Sequence, residues 1–345
     1  MHRGFWDDLT LPIIGLSPMD GVTDATYRFM VAVLGKPQVQ ITEFVSVEGM
    51  NVGNPEKMFV PFKYDEIERP IVAQVFGTDV EAFYQAAIMV AHLGFDGVDI
   101  NMGCPARNIS ARGAGASLIR TPQLAKEIIR AVRKGCEDYA NGKKVSDLAV
   151  PQRTKDFLYT RNGERETRKL LPVSVKTRIG YDTIVVEEWM KHLLEEEPAN
   201  ISLHGRTLEQ MYTGLANWEA IGIAAKVVCQ TKTTLLGNGD IKSLADAHEK
   251  ITRYGVNGVL VGRATFGNPW LFTGQEPSLA EKMKIAIAHA KKYEEIAGTE
   301  FFHPMRKHLG WYMHGFDGAR DLRVQLLKTN SAQEVEELLL PYLNS

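Results

Sequence analysis

Cysteine is scarce in this chain. The 345 residues contain three, Cys104, Cys136 and Cys229, and no two form a CxxC pair. A disulfide framework and a thiolate zinc or iron–sulfur site are therefore not expected, and no metal site is expected. Long apolar runs are also missing. Nothing approaches the roughly 20 apolar residues of a membrane-spanning helix, so no membrane contact is expected. The first ten residues, MHRGFWDDLT, carry Asp7 and Asp8 and no apolar core, unlike a secretory signal. Charge of one sign is lacking as well, with a formal net charge of −2. Contact with a nucleic acid would have to come from local basic surface rather than a global field. These absences leave a cytoplasmic enzyme as the default expectation, and a monomer as the default assembly.

Eight short apolar runs are present: Ile13–Ser17, Val39–Phe44, Ile71–Phe76, Val98–Asn101, Pro172–Thr177, Asn200–His204, Thr233–Asn238 and Gly258–Gly262. Most are rich in Val, Ile or Leu without strict alternation, as parallel strands buried on both faces are. Helical stretches lie between most of them, most clearly Val80–Leu93 and Pro122–Arg133, and Gly94 and Gly255 stand where C-terminal caps stand. Eight strand–helix steps predict an α/β fold closed into a (β/α)8 TIM barrel. An open doubly wound sheet has the same local pattern.

The strand ends favour the barrel. Asp20, Glu43, Gln74, Asn101, Lys176, His204, Asn238 and Arg263 each fall at or just after the C-terminal end of a run. In a barrel those ends converge on one face, where active sites are built, whereas an open sheet spreads them over two sides.

The link between the fourth and fifth runs is long. Residues 141–171 break helical periodicity, and from Asn141 to Arg178 ten Lys/Arg stand against four Asp/Glu. Such a segment is expected to be either a solvated excursion or functional. After Asn268–Trp270 the strand pattern stops. Leu279–Ala297, Pro304–His314 and the last stretch read as helices, with Ser331 and Glu334 spaced as a capping box. The division expected is a catalytic barrel over 1–273 and a small all-α domain over 274–345.

Three motifs carry chemistry. The run NMGCP, Asn101 to Pro105, puts a thiol on a sharp turn over the barrel mouth. Cys104 there can serve as a nucleophile, as a general acid if it stays protonated, or simply be buried. The runs GNGD, with Asn238, Gly239 and Asp240, and GRA, with Gly262 and Arg263, follow the seventh and eighth strands. Loops in those places often bind phosphate through backbone N–H groups, and Arg263 can pair with it, so a phosphorylated cofactor is expected. Lys176 and His204 end strands five and six. A cation in an apolar mouth needs an anion or a polar ring, and a reduced flavin offers both, with Gln74 placed for its pyrimidine edge. The run HGRTLEQMYTGLANW, His204 to Trp218, mixes cations with aromatics, as surfaces that stack bases do.

Together these segments resemble the tRNA-dihydrouridine synthase family of bacterial type. The matching pieces are SPMDGVTD from Ser17, NMGCP, VKTR from Val175, HGRT followed by Gln210, Tyr212, Gly214, Ala216 and Trp218, GNGDI, and GRA followed by GNPW. MRKHLGWYMHGFDG from Met305 is similar to the helical domain of bacterial members, which implies a tRNA-binding role for that domain. The resemblance implies FMN at the barrel mouth, NADPH as electron source and tRNA as substrate. It implies that Cys104 donates a proton to uracil C5 while reduced FMN delivers hydride to C6. Its flavin contacts would be Pro18, Met19, Asp20, Gln74, Lys176, His204, Asn238, Gly239, Asp240, Gly262 and Arg263. Asn101, Arg178, Arg206 and Tyr212 are the expected substrate contacts.

Two departures from the family pattern stand out. The basic link is longer than usual, which suggests an added tRNA-contacting arm. Asp20 occupies a position where relatives carry a small residue; it would alter flavin redox poise or cap the following helix. Two other readings share part of the pattern: a flavin barrel acting on a free pyrimidine, as a dihydroorotate dehydrogenase does, and a non-catalytic RNA-binding protein on a barrel scaffold.

Overall fold

The computed structural model describes residues 2–162 and 168–343. Its centre is a closed barrel of eight parallel strands in chain order. The strands are β1 (Ile13–Leu16), β2 (Gln40–Ser46), β3 (Ile71–Phe76), β4 (Gly97–Met102), β5 (Val173–Arg178), β6 (Asn200–His204), β7 (Thr234–Asn238) and β8 (Gly258–Val261). Helices α1 (Ala25–Leu34), α2 (Val47–Val52), α3 (Pro55–Met58), α4 (Val80–His92), α5 (Arg107–Ser110) and α6 (Pro122–Ala140) accompany the first half. Helices α7 (Gln152–Asn162), α8 (Val186–Leu194), α9 (Trp218–Val228) and α10 (Leu244–Tyr254) accompany the second. β8 pairs with β1 over Ile13–Leu16, which closes the ring and removes every sheet edge.

Strand alternation divides the side chains. Val98, Ile100 and Met102 of β4, and Val173 and Val175 of β5, pack outward in the large core shared with the helices. The inner floor is apolar: Phe5 and Trp6 meet Ile13, Val39, Ile41, Val72, Leu236 and Leu260 there. The upper interior from β3 to β7 is polar instead, with Gln74, Asp99, Asn101, Ser174, Ser202 and Asn238 all buried. Buried polar groups must be paired, so this half of the barrel is a hydrogen-bonded lattice rather than an oily core.

The turn signals act as expected at both glycines. Gly94 and Gly255 have φ of 80° and 68°, the left-handed region that a side chain disfavours. The helix begun at Pro122 runs on to Ala140, past Arg133. At α14 (Ala332–Leu343) the expected capping box is half formed. Ser331 Oγ accepts from Glu334 N, but the Glu334 carboxylate accepts from Asn330 N instead.

The long link is not a free excursion. Residues 163–167 of it lie outside the described residues, but the part before them folds into α7 and docks. Val145, Leu148, Val150 and Leu158 are buried in the main core. The cations face the chain itself. Arg161 donates to Phe59 O and Phe62 O, Arg153 to Val52 O, and Arg168 to Tyr139 O and Lys143 O. Part of the basic composition thus serves carbonyls at or beside helix ends, and the part of the link before residue 163 packs on the barrel.

After Gly274 the chain forms α11 (Leu279–Ala297), α12 (Met305–Tyr312), α13 (Ala319–Leu326) and α14. They share a core with Trp270, which includes Met283, Met305, Leu309, Tyr312, Leu322 and Val335. Phe266 stacks on Trp311 with ring centroids 4.0 Å apart, and Tyr27 packs against His308 with ring centroids 5.1 Å apart. These contacts fix the helical unit beside the β8 end of the mouth.

Candidate active site

The C-terminal strand ends gather the expected side chains on one face. Register pairs Gln74 with Phe44 and Asp99, Asn101 with Lys176, Arg178 with His204, and His204 with Asn238. A Cβ on Gly262 would meet Met19 sulfur at 3.2 Å, and one on Gly239 would meet His204 Nε2 at 3.3 Å. The β1 loop, with Pro18, Met19 and Asp20, and the β6, β7 and β8 ends therefore adjoin. The C-terminal strand ends of a parallel barrel converge in this way on one face.

The Cys104 turn is built from below. Asn101 Oδ1 accepts from Gly103 N at 3.0 Å and Cys104 N at 2.8 Å, while its Nδ2 donates to Gln74 Oε1 at 2.8 Å. Arg178 Nε donates to Gly103 O at 2.6 Å, and its Nη1 donates to Thr207 O at 3.0 Å. One guanidinium thus ties the cysteine turn to the loop after β6. Phe44, Phe76, Ile109 and Ala114 pack around Cys104. Burial pushes the thiol up from its ordinary value, Asp20 adds to that, and Arg178 and Lys176 oppose it. The sulfur is accordingly held as S–H, the form of an acid rather than of a nucleophile. Its two sequence rivals are inert: Cys136 lies within α6 with its thiol pushed up to about 12 by burial, and Cys229 caps α9.

Lys176 is the exposed question of the site. Its ammonium donates to Asn238 Oδ1 at 3.4 Å. Burial, helped by Arg178, pulls it down to about 8, while Asp99 and Cys104 hold it up. A buried ammonium with so weak a partner is built to meet an anion or an acceptor-rich ring. His204 beside it is kept neutral, since burial and then Arg178 lower it well below the usual imidazole range.

The phosphate-type loops carry one surprise. Arg206 Nη2 donates to both Asp240 oxygens, at 2.9 and 2.6 Å, and Arg263 Nη2 donates to Asp240 Oδ1 at 2.7 Å. Ala216 N adds a further bond to the same carboxylate. Asp240 is thus the anchor of two arginines, held with a φ of 54° in the left-handed region. Arg206 is 3% exposed and also donates to Gly214 O, so it shapes the β6 loop and has no open face for a substrate. Arg178 and Asn101 are likewise buried with their donors committed to the chain. All three brace the loops around the mouth, and their expected contact with a substrate is left to the proposal below. Tyr212, 69% exposed on the same loop, keeps an open ring.

Asp20 does not cap α1. Asp24 does, by accepting from Tyr27 N. Two acids of the mouth escaped the sequence assignment of roles. Glu43, displaced by an irregularity in β2, is pushed up to about 7 by burial and then by Asp24. Asp99 lies wholly inside the barrel, bonded to Gln74 and Ser174. An acidic residue at the inward position two before Asn101, in an otherwise apolar strand, was the available signal.

Among the described residues, no group of three or more His, Cys, Asp or Glu is placed to hold a metal ion. No described helix is long and apolar enough to cross a membrane.

The chain is similar to known proteins over nearly its whole length. The family described as dihydrouridine synthase (Dus) matches residues 15–145 and 163–345. The chain belongs to the dihydrouridine synthase family. A probable tRNA-dihydrouridine synthase 2 from Bacillus subtilis is 34% identical over 347 residues, covering 98% of this chain and 96% of the relative. A probable tRNA-dihydrouridine synthase from Staphylococcus aureus is 33% identical over 353 residues, covering 98% and 95%. The family match passes over residues 146–162, which include α7. A 2-naphthoyl-CoA reductase structure overlays with a TM-score of 0.53 at 9% identity, covering 79% of this chain and 51% of that one. That likeness speaks for the barrel fold alone.

Proposed function

We propose that this dihydrouridine synthase family member reduces the C5–C6 double bond of specific uridines in tRNA, with FMN as bound cofactor and NADPH as transient reductant. The observation that carries the reading is the pairing of two unlike groups over one mouth: a thiol kept protonated and a buried lysine ammonium without an adequate partner. A flavin fits these residues. Lys176 and neutral His204 face where the ring would lie, Gln74 retains one amide hydrogen, and Gly239 and Gly262 leave the backbone bare beside Arg263. Pro18, Met19, Asn238 and Asp240 would complete the cradle, Asp240 through its backbone.

The chemistry FMN supplies when bound is hydride transfer, in this reading to uracil C6. Cys104 provides the matching proton at C5: its S–H bond breaks, the thiolate is left, and solvent restores it. Burial, which raises the thiol, keeps the proton available at neutral pH. Asn101 and Arg178 hold the turn so that the sulfur stays over the site. Lys176 offers a positive charge where electron density accumulates. Tyr212 on its exposed loop is placed to stack against the RNA, and α11–α14 beside the mouth would receive the rest of the tRNA.

The test maps dihydrouridine in tRNA from a strain lacking the gene, with and without its restoration. Loss of dihydrouridine at defined positions, regained with the parent gene but not with Cys104→Ala, supports the proposal. An unchanged dihydrouridine map overturns it.

A further inference from the structure

Asp99 is absent from the chemistry described so far, yet it is the buried anion of the barrel's polar half. It is 0% exposed on the inward face of β4. An ionised carboxylate so placed is costly unless partnered. Gln74 Nε2 donates to Asp99 Oδ2 at 2.7 Å, and Ser174 Oγ donates to Asp99 Oδ1 at 2.7 Å. Register pairs Asp99 with Ser174 and Asn101 with Lys176, so Lys176 is the next inward residue diagonally above the carboxylate. Each charge steadies the other. Lys176 pulls Asp99 down against its burial, and Asp99 holds Lys176 up against its own. The remaining neighbours of Lys176 are Arg178, the Cys104 thiol, neutral His204 and the Asn238 amide.

The Gln74 amide is fixed from both ends. Its N–H meets Asp99, and its carbonyl accepts from Asn101. Turning it over would set Gln74 oxygen against a carboxylate and its nitrogen against another amide nitrogen. One N–H is left over on a side chain that is itself fully buried.

We propose that Asp99 is a positioning residue for the cofactor site: a fixed negative charge beneath Lys176 that keeps the ammonium charged and locks Gln74 with one N–H toward the bound ring. This rests on the flavin reading above. Asp99 touches no reacting atom and acts through Lys176 and Gln74.

Asp99→Asn isolates the charge, because Asn Oδ1 still accepts from Gln74 and its Nδ2 can donate to Ser174 Oγ. The measurement is the reduction potential of the flavin-loaded protein against pH. Where Lys176 stays charged in both proteins, loss of the negative charge lets added electrons be held more easily, and the reduction equilibrium of the bound flavin rises at least tenfold, about 30 mV for a two-electron couple. Without Asp99 the ammonium gives up its proton at a lower pH than the parent's, about 8, and the gain is lost above that point. The parent's plot of potential against pH bends near the titration of Asp99, about 6, and the variant lacks that bend. Ser174→Ala keeps the charge but removes one donor, and moves the bend to higher pH. A flavin-loaded Asp99→Asn protein within twofold of the parent, with its bend intact, overturns the proposal. If Asp99→Asn does not fold, a bend that stays in place in Ser174→Ala overturns it equally. A parent that never takes up FMN defeats the flavin reading itself, which separates the two failures.

Discussion

Replacing Asn101 with alanine tests whether the Cys104 turn is held from below. The side chain makes three bonds, to Gly103 N, Cys104 N and Gln74 Oε1. The Cys104 N–H and the Gln74 carbonyl are buried, and stranding such a group costs about 1–3 kcal/mol. The Gly103 N–H is partly buried, so water can replace its partner at little cost. A vacancy the size of an amide beside Gln74 can admit a water and recover part of the rest. The net expectation is a loss of about 2–4 kcal/mol, seen in urea unfolding as a lower midpoint without a large change in slope. Activity suffers more than stability, because a displacement of about 1 Å at a reacting group can cost about a hundredfold. Single-turnover reduction of uridine by pre-reduced enzyme should therefore slow by roughly that factor while flavin content stays at the parent level. An Asn101→Ala protein with the parent's urea midpoint and single-turnover rate would refute the account of the turn.

Cys104→Ala should retain FMN, since the thiol is no part of the cradle, and lose uridine reduction by about 10²–10⁴-fold, the usual share of a general acid; a parent-like rate removes Cys104 from that role. Arg161→Ala leaves the Phe62 carbonyl without its donor, while Phe59 O keeps the Phe62 N–H, and should cost about 1–3 kcal/mol in denaturant unfolding. The same variant should bind tRNA with unchanged affinity and salt slope, and a flattened slope would mark the link as a tRNA-contacting arm. His289 and His308 sit buried between α11, α12 and Tyr27, lowered by burial to about 3 and to well below 6.5 respectively. Both stay neutral in the folded protein while the unfolded chain takes up protons below about pH 6.5. Their stabilising contribution is therefore full above that pH and is lost as pH falls, by up to about 1.4 kcal/mol per pH unit for each. Asp24, Glu43 and Glu68, all raised, act in the opposite sense, so the measurement compares parent with His289→Leu/His308→Leu. Between pH 7 and 5 the parent should lose more stability than the variant, and equal losses would contradict the linkage.

Much of the barrel was legible because its signals are local and repeated. The eight apolar runs match the eight strands to within about two residues, and the polar residue ending each run marks the mouth. Asn101, Lys176, His204 and Asn238 could be assembled from that rule alone, and Cys104 from the turn that follows Asn101. Pairing within the site was not legible, since it depends on register and on which donors the folded chain itself uses. Arg206 and Arg178 read as free cations in sequence, but bind Asp240 and the Gly103 carbonyl in space. The docking of the basic link was hidden for the same reason: lysines and arginines that cap carbonyls cannot be told from those that await a phosphate by composition. Asp99 escaped because one acid in a buried strand announces no partner until Gln74, Ser174 and Lys176 are brought around it.

The central claim is that a flavin's hydride and the Cys104 proton meet on one uracil. It is tested most directly by mixing anaerobically reduced holoenzyme with tRNA lacking dihydrouridine, and following flavin reoxidation while counting the dihydrouridine formed. The account predicts one dihydrouridine per flavin reoxidised, with both events slowed together in Cys104→Ala. Reoxidation that yields no dihydrouridine, or a purified protein that carries no flavin, would contradict it.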